Sequence, residues 1–389
     1  MTFELSIKFQ TSFNLSIYNI YMKKRGQIQC VVILLLLLGG GIVAQDQKSN
    51  YSLVEIPAPS LKDNLIGTKD VQKIGVYLPP SYLDSDQLFP VVYFLNGYTV
   101  EAGEYPKTEA FDSYMKNSKE HEFILIELNG HNLFEGSMYA NSPVSGNWED
   151  FIVRDVITYV DSHYKTLAKR ESRGISGHSM GGGGTINISL RHPEVFSVAY
   201  AMSPAVLAND NLLNGMFKND STLVQVQNLS EKMVNVRDED FSETLQQELK
   251  SYDRKITSIF GILAFGSAFS PDLSQPLKIA FPFTMNADGT FSKKEEVLEK
   301  WVAGFGNLEE KVKNYKNNLT QYKKIALSCG YQDETPGLLE GSVYFSTLLK
   351  EEKIPHSTCW YTGKHSDKVS EQLIGEVFPT MSAYLHGEK

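Results

Sequence analysis

Cysteine is scarce in this chain: three residues in 389, one of them (Cys30) in an N-terminal segment of distinct character. The other two, Cys329 and Cys359, are too few for a disulfide framework or a four-ligand zinc site. Each sits in a strand-like run, where a thiol serves as a small buried hydrophobe; pairing with each other outside the cytoplasm is the alternative. Positive charge is also short, with 37 Lys and Arg against 46 Asp and Glu. No basic tract follows the first 25 residues, which argues against a nucleic-acid or anionic-membrane partner. Repeats and low-complexity segments are missing, and 42% hydrophobic residues, 29 Gly and 15 Pro are ordinary values that exclude disorder and collagen-like structure. Long apolar runs are few. The strongest, through Val31 and Leu38, falls short of the roughly 18 to 20 residues that cross a bilayer.

That run follows Met22-Lys23-Lys24-Arg25 and gives way to small residues ending at Ala44, the arrangement of a secretory signal peptide. Cleavage near Ala44 and export to the periplasm or beyond are expected, an uncleaved anchor being the rival. Met22 directly precedes the basic cluster, so residues 1–21 read as an over-extended start. Without residues 1–44 the chain carries 33 basic against 45 acidic side chains, a net −12. No stable membrane span is expected in residues 45–389.

After a polar stretch at 45–60, strand-like runs recur at Val71–Leu78, Phe89–Leu95, Glu122–Leu128, Arg173–Gly177, Ser197–Met202, Lys324–Cys329 and Thr358–Tyr361. Val91-Val92-Tyr93-Phe94-Leu95 and Phe123-Ile124-Leu125-Ile126 lack polar alternation, as strands covered on both faces do. Helical spacing is clear between them, notably at Asn147–His163. The expected fold is therefore a single α/β domain over 45–389, with a mainly parallel sheet and helices on both faces. Between 206 and 320 the alternation breaks, and this stretch reads as a largely helical insertion. Within it Asn286-Ala287-Asp288-Gly289 signals a turn, and Ser292-Lys293-Lys294-Glu295 fits a capping box opening a helix.

Gly177-His178-Ser179-Met180-Gly181 follows a strand and precedes a helix-prone stretch, the context in which G-x-S-x-G forms a nucleophile elbow. Strand turning abruptly into helix strains the central residue, and a Cβ at either flanking glycine would collide with its neighbour. The bland alternative is a glycine-rich turn whose serine caps the helix. A serine hydroxyl needs a base, itself oriented by an acid, and in this topology the chain order is Ser, acid, His. Of eight histidines only His356, His365 and His386 come late enough; His356 enters a strand and His386 lies in the tail. His365, in the loop after Thr358–Tyr361, is the base candidate. Asp333, after Lys324–Cys329, is the first candidate for the acid and Glu334 the second. The backbone N–H of Met180 is one oxyanion donor candidate, and that of Tyr98 or Gly97, in the loop after Phe89–Leu95, is the other. His178 is read as packing or lining the pocket.

These segments carry a family resemblance. Val76-Tyr77-Leu78-Pro79-Pro80-Ser81-Tyr82, Pro90 to Gly97, Asn141 to Glu149, the elbow, His192-Pro193-Glu194-Val195-Phe196, Ser203-Pro204-Ala205 and the Asp333 and His365 loops resemble an esterase branch of the α/β-hydrolases. That branch includes S-formylglutathione hydrolase, feruloyl and acetyl-xylan esterases, siderophore esterases and mycolyltransferases. The resemblance spans about 50–205 and 322–389 and implies a Ser179, Asp333, His365 triad. It departs from the family at Asn96, where histidine commonly precedes the glycine, and in the insertion. It also places Tyr139, Asn141 and Trp148 near the active-site mouth as substrate-binding candidates, although Trp148 equally suits a core anchor for the following helix.

The expected function is an exported serine carboxylic-ester hydrolase working through an acyl-enzyme without metal or organic cofactor. Its substrate would be a small or polysaccharide-linked ester. Acyl transfer to a sugar or lipid alcohol with the same residues, and a non-catalytic ligand-binding relative, are the alternatives. The oligomeric state is not legible.

Overall fold

The computed structural model describes residues 50–103, 108–117, 121–208, 220–253 and 258–385. The leader expected at 1–44, and His386, lie outside them. Twelve strands follow in order: β1 (Tyr51–Pro57), β2 (Val71–Tyr77), β3 (Val91–Leu95), β4 (Ile124–Leu128), β5 (Asn141–Ser142), β6 (Gly146–Asn147), β7 (Arg173–His178), β8 (Val198–Met202), β9 (Phe283–Met285), β10 (Phe291–Lys293), β11 (Lys324–Gly330) and β12 (Ser357–Tyr361). Eight form one sheet in the order β1-β2-β4-β3-β7-β8-β11-β12, while β5–β6 and β9–β10 are separate ribbons. The pairings of β1 with β2 and β2 with β4 are antiparallel and the rest are parallel.

The unbroken apolar runs have a direct physical cause. Successive strand residues point to opposite faces, and both faces of this sheet are covered. Val91, Tyr93 and Leu95 of β3 enter one buried cluster and Val92 and Phe94 the other; Ile124 and Ile126 part from Leu125 in the same way. The same geometry decides the cysteines. In the parallel register Cys359 stands beside Ser328 and Cys329 beside Trp360, so the two thiols point to opposite faces and are free.

One strand escapes the sequence pattern. The stretch 45–60 reads as polar, yet β1 pairs along its whole length with β2. It is a sheet edge with mostly solvated side chains, so it lacks the apolar signature of its neighbours.

The helix expected over Asn147–His163 comprises Trp148–Asp150, a π-helical stretch Phe151–Val156 and Ile157–His163. Glu149 at its start accepts hydrogen bonds from Arg191, through Nε at 2.7 Å and also Nη2, and from His192 Nε2 at 2.7 Å. This joins it to the end of the helix Met180–Arg191. Burial alone would raise the Glu149 carboxyl, but the bonds from His192 and Arg191 outweigh it and hold it below its ordinary 4.5. The bond to Glu149 in turn lifts His192 above 6.5 against burial. The raised histidine contributes stability that is fully present below pH 6.5 and fades as pH climbs through its folded pKa; the lowered carboxyl contributes above pH 4.5 and fades in acid. His192→Gln is therefore expected to cost most between pH 4.5 and 6.5, about 2–4 °C in Tm, and least at pH 9. A Tm difference independent of pH in thermal melts would contradict this.

Between β8 and β11 the described residues form helices at Asp220–Met233, Phe241–Leu249, Ser258–Phe269, Glu295–Phe305, Leu308–Asn314 and Lys316–Leu319, with the β9–β10 hairpin among them. The turn at 286–289 closes that hairpin, with Gly289 at φ +84°. The capping box at Ser292 does not form. Ser292 belongs to β10 and its hydroxyl donates to Asn286 Oδ1, while the helix starts at Glu295 with no side-chain cap. Cross-strand pairing in the hairpin takes the serine that a helix N-terminus would have used.

Among the described residues no helix is long and apolar enough to cross a membrane, and no cluster of three or more His, Cys, Asp or Glu side chains is placed to hold a metal ion.

Candidate active site

Four loops meet at the C-terminal ends of the parallel strands. The turn from β7 into the helix Met180–Arg191 holds Ser179 at φ 58°, ψ −116°, a conformation that costs a non-glycine residue about 1–3 kcal/mol. What enforces it is the closeness of the backbone. A Cβ on Gly181 would overlap the Leu95 carbonyl, and one on Gly177 would lie 2.8 Å from that oxygen and against the Gly181 carbonyl. Ser179 N–H donates to Met202 O at 3.0 Å, and its carbonyl accepts from Ala205 N–H at 2.9 Å. No side-chain cap bond from Ser179 to the helix is present, so its hydroxyl is not acting as a simple N-cap.

His365, in the loop after β12, brings Nε2 to 2.8 Å from Ser179 Oγ, and its Nδ1 lies 2.8 Å from Asp333 Oδ2. Burial would raise the Asp333 carboxyl, but hydrogen bonding and attraction from His365 outweigh it and leave the carboxyl below its usual value. An ionised carboxylate only accepts, so Nδ1 carries the hydrogen and the Nε2 lone pair faces the serine hydroxyl. Thr335 N–H donates to Asp333 Oδ1 at 3.0 Å, and the Cys329 thiol lies 3.5 Å from Oδ2. Glu334, the second candidate acid, accepts from the His365 backbone N–H at 3.1 Å instead and so holds the loop rather than the ring.

His178 is buried, and burial, reinforced by His365, pulls its pKa down to about 4. Its Nε2–H donates to His365 O at 2.8 Å, and the two rings lie 4.8 Å apart. A neutral His178 thus holds the His365 loop without placing a positive charge beside that ring.

A cavity of about 310 Å³ opens over Ser179. Gly97, Tyr98 and Met180 line it, as do Val100, Met138 and Leu338, and among the described residues no Asp, Glu, Lys or Arg lines it. The N–H of Met180, the first residue of its helix, has no carbonyl a turn earlier to bond. Sequence reasoning missed the cavity's far wall, which Gly261, Phe265 and Phe305 contribute from the insertion. Phe265 and Phe305 meet edge to face at 4.5 Å. The signal for Phe265 is the apolar stretch 257–269, too uniform to reveal which side chain faces inward, and Phe305, at the end of the helix Glu295–Phe305, lies outside it.

Three of the expected substrate-binding residues stand apart from the cavity lining. Tyr139 is 1% exposed, its hydroxyl donating to Asn96 O at 2.9 Å and Leu128 O at 3.2 Å. Trp148 is fully buried, donates through Nε1 to Ser145 O and packs edge-on against Phe151, so the core-anchor alternative holds. Asn141 is exposed and exchanges two 3.0 Å bonds with Asp150 at the start of the following helix. None of the three lines the cavity. Asn and Tyr satisfy helix ends and carbonyls as readily as ligands, so residue type could not separate the roles.

Comparison with known proteins agrees with this architecture. Residues 67–238, which include the elbow, match a family model described as "Putative esterase". The chain is similar to a ferulic acid esterase at 16% identity and TM-score 0.54, covering 87% of this chain and 100% of that one. It is similar to an S-formylglutathione hydrolase from Agrobacterium tumefaciens at 14% and 0.53, covering 87% and 96%. It also resembles MPT51 of Mycobacterium tuberculosis at 12% and 0.51, covering 86% and 99%. At these identities the likeness speaks for the fold. The family match over 67–238 lies within a mainly parallel sheet flanked by helices, and the likeness to these structures gives the described residues an α/β-hydrolase fold.

Proposed function

We propose that the protein is an exported enzyme that hydrolyses carboxylic esters through an acyl-enzyme on Ser179. The observation that carries this reading is the unbroken series Ser179 Oγ, His365 Nε2, His365 Nδ1, Asp333 Oδ2, both gaps 2.8 Å. In the proposed cycle His365 takes the serine proton as Oγ attacks the ester carbonyl, then returns it to the departing alcohol. Asp333 holds the imidazole tautomer and balances the imidazolium. The N–H groups of Met180 and of Tyr98 or Gly97 stabilise the tetrahedral oxyanion. Water, deprotonated by the same imidazole, then releases the acid. Export rests on the leader grammar of residues 22–44.

The lining supports an uncharged, largely apolar acyl group, since among the described residues no Asp, Glu, Lys or Arg lines the cavity to pair with a charge buried there. Phe265→Ala is expected to shift preference toward bulkier acyl groups, about tenfold in relative kcat/KM, while leaving small acetyl esters turned over. An unchanged acyl profile across a series of aryl esters would remove Phe265 from this role.

The test of the function itself is labelling. A fluorophosphonate should add one adduct to the wild-type protein, at Ser179, and none to Ser179→Ala. Labelling elsewhere, or none at all, would overturn the reading. A panel of acetylated and feruloylated xylans, aryl acetates and siderophore esters then identifies the ester.

A further inference from the structure

Glu127 is a lone acid in the apolar strand β4, 1% exposed. A carboxylate in such a place is costly unless donors surround it. The Tyr51 hydroxyl donates to Oε2 at 2.8 Å, the Gly103 N–H to Oε2 at 3.1 Å, and Asn96 Nδ2 to Oε1 at 3.1 Å. The adjacent strand leaves room for the group: Gly75 stands opposite Glu127 in register, and a Cβ there would lie 2.7 Å from Oε2 and press on the Tyr51 hydroxyl.

Two of the donors bracket the loop after β3 that contains Gly97 and Tyr98. Asn96 opens it and Gly103 closes it, and Asn96 Nδ2 also donates to Glu101 O within it at 3.0 Å. The carboxylate therefore ties both ends of a segment whose middle lines the cavity above Ser179.

Resting on the esterase reading above, we infer that Glu127 is a positioning residue for the oxyanion hole. It stays clear of the reacting atoms and acts by fixing the backbone of Gly97 and Tyr98 through Asn96 and Gly103. Donor placement is what such a hole supplies, and an error near 1 Å costs up to about 100-fold in rate. A buried acid with a merely structural part would affect melting alone.

Leucine at 127 has similar bulk and no acceptor, so Tyr51, Gly103 and Asn96 each lose this acceptor. Glutamine keeps one carbonyl for Tyr51 and Gly103. Its amide can donate to Asn96 Oδ1, which has no hydrogen-bond partner among the described residues, only if that side chain turns over and gives up the bond from Nδ2 to Glu101 O, so the rescue is partial.

The experiment measures kcat and KM on p-nitrophenyl butyrate for wild type, Glu127→Leu and Glu127→Gln, with fluorophosphonate titration of active sites and thermal melts. Glu127→Leu should lose about 10- to 100-fold in kcat per titrated site with KM within about threefold, and Glu127→Gln should return to within about fivefold of wild type. A folded Glu127→Leu with kcat within twofold of wild type overturns the inference, as does a loss confined to Tm. If the leucine variant does not fold, Asn96→Ala must show the same kcat loss at steady KM, and a kcat within twofold overturns it equally. Wild-type protein inert to probe and ester would bring down the esterase reading, and this one with it.

Discussion

Ser179→Ala is expected to lower kcat on an activated ester by roughly four to six orders of magnitude while leaving the fold intact. Without Oγ the imidazole has no nucleophile to deprotonate, and what survives is the modest acceleration that bound water gains from the oxyanion donors. The substitution separates chemistry from stability because alanine has a Cβ like serine: the φ of 58° is equally strained in both. Ser179 makes its backbone bonds to Met202 and Ala205 through its own N–H and C=O, which the change keeps. The Tm should move by no more than about 2 °C, since about half a kcal/mol is typical for a change that opens no cavity. Turnover within tenfold of wild type at matched Tm would show that another group attacks the ester.

Gly181→Ala should do the reverse and strike the fold first. Its Cβ would overlap the Leu95 carbonyl oxygen and lie 2.6 Å from the Leu95 carbon and 2.8 Å from Asn96 O. All three are backbone atoms at the end of a central strand, so no side chain can swing away. Either β3 or the start of the helix Met180–Arg191 must shift, at a cost of about 3 kcal/mol or more. Whichever moves, the N–H groups of Gly97, Tyr98 or Met180 move with it, so activity should fall along with Tm. A variant with wild-type Tm and kcat, from calorimetry and initial rates, would mean that the elbow is looser than these distances allow.

Much of this site was legible because its chemistry forces local signals. A residue that must sit at positive φ between two close backbones demands glycines two positions either side, and Gly177 and Gly181 supply them. Sheet strands covered on both faces must be apolar throughout, so β3 and β4 announced themselves, and the loops after the last two strands contained His365 and Asp333. Other features gave weaker signals. Strand β1 is an edge and carries the composition of a loop. Tyr139 and Trp148 are aromatic in the core for the same reason they would be aromatic at a mouth. The acid in Ile124-Leu125-Ile126-Glu127-Leu128 interrupts an apolar run that the sequence analysis treats only as a covered strand, and its partners Tyr51, Asn96 and Gly103 are brought to it only by strand order. The cavity wall from the insertion depends on how its helices stack, which no periodicity encodes.

The origin of that wall has a consequence for how such an enzyme diversifies. Ser179, Asp333 and His365 follow strands of the central sheet, whereas Phe265 and Phe305 belong to a separate excursion of the chain between β8 and β11. On the proposed function, changes within that excursion would re-tailor which molecules are admitted without disturbing the residues proposed to cleave them, so selectivity could drift while the reaction is inherited unchanged.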